Sequence, residues 1–260
     1  MDMLCGSGIF GIETSRCSQH PQTPKFLYEG HCLRMGKTIS MKDFGPQVNT
    51  TEMPQCPMIL IIGSSMSSGK TCTGRVIIDI IKNNIGANKV AAAKFTGAGY
   101  NHDANQFCLA GSDFVCDFID AGFPSTVIPA EEYREMALPR MLGMLAEQKP
   151  DCIVAEVGAS PFEPYNGAEV LRELLGTGAD NIYLMICAND AYGVLGLKQV
   201  LMSEGTNVQP NNILGVSGLA ACNDAGVALV ERVTGLRAFN MKDPDSVDNL
   251  RVLLEKRLFC

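Results

Sequence analysis

The stretch Gly63-Ser64-Ser65-Met66-Ser67-Ser68-Gly69-Lys70-Thr71 sets small residues, a lysine and a hydroxyl in an order suited to holding phosphate. Small side chains let the backbone curl until successive N–H groups converge on phosphate oxygens. A helix starting near Gly69 would aim the positive end of its dipole at the same oxygens. Lys70 would reach the β- and γ-phosphates, the Thr71 hydroxyl would ligate Mg2+, and Cys72 closes the stretch expected to touch the nucleotide. Five residues separate the two glycines, one more than in the usual form of such loops. A serine-rich turn with a chance lysine is the bland alternative, and the Gly-Lys-Thr between a buried strand and a helix argues against it.

Other polar residues fall at or just past the ends of apolar runs: Lys94, Glu156 and Asn189-Asp190. Ligands of parallel sheets collect at the carboxyl ends of the strands, so these positions belong near the loop. Two lysines and carboxylates brought together there are the equipment for stabilising charge in phosphoryl transfer. Each has a plainer reading beside it: a strand-end lysine reaching solvent for Lys94, and helix-cap carboxylates for Glu156 and Asp103. Asp117 and Asp120 fit a site edge or a turn held by aspartate side chains equally well.

The elements that must position these groups are regular from residue 58 onward. Met58–Ile62, Lys89–Phe95, Cys152–Ala155, Ile182–Cys187 and Ile213–Ser217 are short, continuous apolar runs, the pattern of strands buried on both faces. Helical stretches alternate with them at Thr71–Asn84, Asp103–Ala110, Glu131–Gln148, Ala168–Leu175, Val194–Met202 and Ala225–Val233, and Asp245–Arg257 closes the chain. Such alternation predicts an α/β fold, a mostly parallel sheet with helices on both faces. Residues 1–24 show no periodicity and are expected to be irregular. Phe26 to Phe44 suggests a few small strands, and Pro46 to Pro57 reads as a linker. The division is therefore 1–57 as an appendage with its linker and 58–260 as the phosphate-binding domain.

Composition narrows the function classes. The chain has 260 residues, 46% of them hydrophobic, with 21 basic and 28 acidic side chains for a net charge of −7. Residues 1–57 are balanced at five and five, so the deficit of 16 against 23 lies in 58–260. An acidic chain without a basic cluster is a poor nucleic-acid binder. No apolar run approaches the ~18 residues of a membrane span. The start Met1-Asp2-Met3-Leu4-Cys5 lacks the basic and apolar regions of an export signal, so a cytoplasmic location is expected. Without export the 11 cysteines are expected to be reduced and mostly core filler, Cys72, Cys152 and Cys187 among them.

The loop with five residues between its glycines resembles that of the dethiobiotin synthetase family of P-loop proteins. Over roughly residues 56–243 the chain is most similar to a branch of that group that includes D-amino-acid (D-glutamate) N-acetyltransferases. The resemblance rests on the loop, on Lys94-Phe95-Thr96-Gly97, on Asp103, and on Glu156-Val157-Gly158-Ala159, where Val157 replaces a family glycine. It implies that Lys94 lies near the reacting substrate and phosphate, and that Asp103 and Glu156 join Thr71 around Mg2+. It implies an adenine contact at Asn223 and a homodimer. No Asn-Lys-x-Asp guanine signature follows a late strand, since Cys187-Ala188-Asn189-Asp190 does not match, so ATP is expected rather than GTP. The expected function is ATP- and Mg2+-dependent activation of a small carboxylate or amino-acid-like substrate. The alternatives are acetyl-CoA-dependent N-acetyl transfer to an amino acid, and a non-enzymatic nucleotide-binding adaptor. The acetyltransferases have a larger N-terminal nucleotide-fold domain, which 57 residues cannot supply.

Overall fold

The computed structural model describes residues 1–6, 8–47, 53–176, 178, 180–203 and 208–259. Two small hairpins come first: β1 (Asp2–Cys5) with β2 (Ile9–Gly11), and β3 (Leu33–Arg34) with β4 (Lys37–Thr38). The main layer follows as β5 (Met58–Gly63), α1 (Lys70–Asp79), β6 (Val90–Thr96), α2 (His102–Leu109), β7 (Phe114–Asp117), α3 (Ala130–Glu132), α4 (Leu138–Glu147), β8 (Cys152–Val157), α5 (Gly167–Leu175), β9 (Ile182–Cys187), α6 (Ala191–Ser203), β10 (Ile213–Ser217), α7 (Asp224–Thr234) and α8 (Pro244–Leu258). Wider π-type turns extend α1 through Ile80–Ile85 and join α3 to α4 through Tyr133–Ala137.

Six strands form one all-parallel sheet in the order β10-β9-β5-β8-β6-β7. Every residue of β5, β6 and β8 is buried, which is why these strands read as unbroken apolar runs. Alternate residues feed two cores. Leu60 and Ile62 join Val170, Leu174 and Val194 on one face, while Ile59 and Ile61 join Ile77, Ile78, Leu250 and Leu254 on the other. Each such fully buried side chain contributes roughly 1.5–3 kcal/mol. This is the α/β fold of P-loop NTPases, with short antiparallel strands at the N-terminus. Among the described residues no helix is long and apolar enough to cross a membrane.

The register decides what meets what. Lys94 in β6 stands beside Glu156 in β8 and Asp117 in β7, and Glu156 stands beside Ile61 in β5. One row across the sheet thus carries three ionisable groups near the strand ends: Asp117 closes β7, Glu156 is one position short of the end of β8, and Lys94 two short of the end of β6.

The structure adds one strand, corrects two expectations and decides one open question. A strand beyond the five apolar runs, β7, follows α2; it is four residues long and half-buried at its first two positions, so its apolar signal is weak. Residues 1–24 are not irregular throughout: β1 is flanked by β2 on one side and, through the Asp2–Lys25 bridge, by the chain near Pro24 on the other. That small sheet is held by backbone bonds and by the Asp2 carboxylate, which accepts from Glu13 N at 3.1 Å and Thr23 Oγ1 at 3.3 Å, none of which leaves a periodicity to read. The cysteines are not mostly core filler. Among the described residues only Cys116, Cys152 and Cys187 are buried, Cys5 and Cys56 are half-buried, and Cys17, Cys32, Cys72, Cys108 and Cys222 are exposed. Cys72 and Cys108 lie on outward faces of helices, a placement that helical periodicity alone does not settle. The Asp117–Asp120 segment is a turn, with Asp117 Oδ1 accepting from Ile119 N at 2.7 Å and Asp120 Oδ2 accepting from Asp117 N at 2.9 Å.

Gly218 closes the sheet end against the loop, with φ 85° and ψ −156°, a conformation reserved for glycine. A Cβ there would overlap the Ser68 carbonyl oxygen. Gly218→Ala is therefore expected to cost roughly 2–4 kcal/mol in chemical denaturation. Gly196→Ala, within α6 where a Cβ meets open space, should instead gain about 0.5–1 kcal/mol.

Candidate active site

The chain leaves β5 at Gly63 and must turn back over the Lys70 side chain. A Cβ at Gly63 would sit 2.8 Å from Lys70 Cδ, so the tight path requires glycine. Ser64 N donates to Cys187 O at 2.9 Å, and Asn189 Nδ2 donates to Ser65 Oγ at 2.9 Å, tying the loop to the end of β9. Ser67 and Gly69 adopt left-handed conformations at φ 61° and 98° and aim the chain into α1. Ser68 Oγ is buried and has no hydrogen-bond partner, an orphaned polar group inside the curl of the loop. Met66, at the tip, is exposed.

Lys70 is buried and donates to Ser65 O and Ala159 O, both at 2.9 Å. Two neutral carbonyls are thin compensation for a buried ammonium, and burial holds its pKa below the ordinary lysine value against the pull of Glu156. The group is poised for an anion.

Thr71, one residue on, lies between two carboxylates. Its Oγ1 is 3.0 Å from Asp103 Oδ1 and 2.9 Å from Glu156 Oε2. A hydroxyl has one proton to give and cannot donate to two ionised acceptors, so the triad needs either a second proton or a cation. Burial, aided by the Asp103 charge, pushes the Glu156 carboxyl above the usual carboxylate range, which makes it the natural holder of that proton. Burial also presses on Asp103, but its hydrogen bond and ion pair with Lys94 prevail and keep its carboxyl low. A hydroxyl and two carboxylate oxygens are the donor set of a hard divalent ion such as Mg2+. The residues fit the metal.

Lys94 does not reach out to solvent. It is 7% exposed and paired with Asp103 in the first turn of α2. The loop, Thr71 with Asp103 and Glu156, and the second lysine line one cleft of about 500 Å3, with Thr96, Gly97, Ala98, Tyr100, His102, Gly158, Tyr165 and Cys5 on its other walls. A smaller hollow of about 270 Å3 lies on the far side of Gly69 and Cys72, walled by Thr73, Ser217, Gly218, Leu219, Cys222 and Asn240 to Lys242. A larger hollow, about 1030 Å3 between α7 and α8, has no residue of the phosphate loop in its walls.

Lys70, Thr71, Lys94, Asp103 and Glu156 thus come together as anticipated. Asn223 does not join them: its Oδ1 accepts from Gly226 N at 2.8 Å as the N-cap of α7, and it lines neither hollow beside the loop. Asp190 serves the backbone in the same way, accepting from Gly193 N at 2.8 Å. The Ala159 carbonyl, Tyr100 and Tyr165 are site groups that sequence reasoning missed. Only the turn after Glu156 offered a signal for the first.

Because Glu156 is held above its unfolded pKa, its ionisation costs the fold stability as pH rises through its folded-state range, and the cost vanishes at low pH. Glu156→Gln should therefore raise the thermal midpoint of the ligand-free protein by about 2–4 °C at pH 8. The gain should shrink toward pH 4. A loss of stability at pH 8 would show that the carboxylate is favourably paired instead.

No known family model and no curated protein matches this chain. Among solved structures it is similar to HypB from Helicobacter pylori in complex with nickel, at 15% identity over 78% of this chain and 87% of that one, with a TM-score of 0.44. It is likewise similar to chloroplast FtsY from Physcomitrella patens, at 17% identity over 81% and 71% of the two chains, TM-score 0.44. The P-loop NTPase fold stands on this chain's own sheet order, its loop between β5 and α1, and the carboxylate near the end of the neighbouring strand.

Proposed function

We propose that this chain binds ATP with Mg2+ at the loop and uses it to activate a small carboxylate or amino-acid-like substrate by γ-phosphoryl transfer. The observation that carries the reading is the meeting of buried Lys70, Lys94 and Glu156 with half-buried Thr71 and Asp103 in one cleft, with space left beyond them. Loop N–H groups and Lys70 would hold the β- and γ-phosphates, and Ser68 Oγ would gain the partner it lacks. Thr71, Asp103 and Glu156 would hold Mg2+, which neutralises phosphate charge. Phosphate arriving at Lys70 and Lys94 gives both ammonium groups an anion. Metal occupancy removes the need for a proton on Glu156.

In the reaction a substrate carboxylate oxygen forms a bond to the γ-phosphorus. The bond from that phosphorus to the β-bridging oxygen breaks, and ADP departs with the electron pair. No proton has to be removed, so the cleft's task is positioning and charge stabilisation, for which Lys94 is the group beside the incoming acid. The resulting acyl phosphate is then attacked at its carbonyl carbon by a separate nucleophile or by water; the bond from that carbon to the phosphate oxygen breaks, and the nucleophile's proton leaves with the phosphate. The smaller hollow beside Gly218, walled by Cys222 and Asn240, suits a base stacked between the two loops and replaces Asn223 in that role.

Calorimetry with Mg·ATP and with acetyl-CoA, followed by ADP release across amino acids and small acids, tests the reading. Wild type should bind Mg·ATP and Lys70→Ala should not. Binding of acetyl-CoA without ATP would transfer the site to acyl transfer. Hydrolysis that is slow and indifferent to every acid would favour the adaptor. Lys94→Met should lower acid-dependent kcat on the order of 10²-fold while nucleotide still binds.

A further inference from the structure

The far half of the cleft determines which acids enter, an inference that rests on the carboxylate-activation reading above. The charged groups lining the cleft gather at its phosphate end: Lys70, Lys94, Asp103 and Glu156, with His102 Nδ1 3.2 Å from Asp103 Oδ1. Beyond them the walls are Thr96, Gly97, Ala98, Cys5, Tyr100 and Tyr165. Among the described lining residues Lys70 and Lys94 are the only lysines, and there is no arginine. A second ionised group on a substrate, carried to that end, would shed water and meet no opposite charge. Two phenols and a thiol suit an uncharged tail.

Tyr100, half-exposed in this wall, rests on the N-terminal segment. Tyr100 rises from the segment before α2, and its hydroxyl lies where a Cβ on Gly6 would stand, so the ring is seated against the bare backbone of the β1–β2 turn. That turn belongs to a small sheet with its own supports. Met3 N donates to Pro24 O at 2.9 Å, Phe26 N to Met1 O at 2.7 Å, and the terminal ammonium to Phe26 O at 2.7 Å. Tyr165, which lines the same cleft, is fixed by its carbonyl, which accepts from Thr126 Oγ1 at 2.8 Å. We propose that Tyr100, braced on Gly6, is the stop that sets substrate length, and that the cleft selects monocarboxylic acids with short uncharged tails.

The test uses the full chain with Mg·ATP and straight-chain monocarboxylates from acetate to octanoate, beside the dicarboxylates succinate to adipate. ADP release is measured together with calorimetric binding of the same acids in the presence of Mg2+ and a non-hydrolysable ATP analogue. Wild-type kcat/KM should fall about 10-fold or more within one or two carbons of a limiting length. Dicarboxylates of equal length should be poorer by about the same factor. Tyr100→Phe should keep the limit, whereas Tyr100→Leu and then Tyr100→Ala should move it to longer acids, mainly through KM. Should Tyr100→Ala fail to fold, the leucine variant decides. An unmoved limit, or a preference for dicarboxylates, overturns this proposal while acid activation stands. Nucleotide binding with no acid bound or turned over overturns both.

Discussion

Three ionisable side chains, Lys70, Lys94 and Glu156, are buried at one end of a parallel sheet with Asp103 half-buried against them, and the rest of the structure arranges itself around keeping them there. An unpaired buried charge costs several kcal/mol, so each must have a partner or surrender its charge. Lys94 and Asp103 answer each other. Lys70 makes do with carbonyls, and Glu156 is pushed toward its neutral form. The imbalance is directional: the unsatisfied cation sits inside the loop, and the strained carboxylate sits where a hydroxyl already has another acceptor. A triphosphate with a divalent ion supplies what both lack.

Positioning follows from that constraint. The register of β5, β8 and β6 puts Glu156 and Lys94 in one row, the first turn of α2 brings Asp103 down onto Lys94, and the first turn of α1 brings Thr71 up to both acids. The glycine at 63 and the contact between Gly69 and Gly218 let the backbone pass close enough for this to happen. The N-terminal segment is bound to the same body. Arg140 Nη1 donates to Lys42 O at 3.3 Å and Ala121 O at 2.8 Å, and Lys42 pairs with Glu132 while lying over the Phe123 ring. Residues before the sheet therefore run from the β7 side to the mouth of the cleft, where Cys5 lines the wall.

Much of this was legible before any coordinates. Ile59 to Ile62 and Ile182 to Cys187 declare themselves because strands buried on both faces leave no alternation to confuse. Lys94 and Glu156 stand out because a charge at the end of such a run has to be explained. What stayed hidden lacks such a signature. β7 holds only Phe114 to Asp117 and ends in an aspartate that serves a turn. The β1–β2 hairpin depends on the Asp2 carboxylate and backbone bonds across some twenty residues of chain. Tyr100 and Tyr165 are ordinary loop tyrosines until folding sets them around one space. Asn223 shows that a residue suited to contact a base is equally suited to cap a helix, which is the role it has at α7.

The central claim is that Thr71, Asp103 and Glu156 hold a divalent ion against phosphate gripped by Lys70. Electron paramagnetic resonance of Mn2+ bound in the presence of ATP reads this arrangement directly, since phosphorus coupled to the ion reports a shared site. Wild type should show protein-bound Mn2+ with phosphorus hyperfine coupling, and Thr71→Val and Asp103→Asn should each return the ion to the spectrum of free Mn·ATP. Bound Mn2+ without phosphorus coupling, or binding indifferent to both substitutions, would contradict the account.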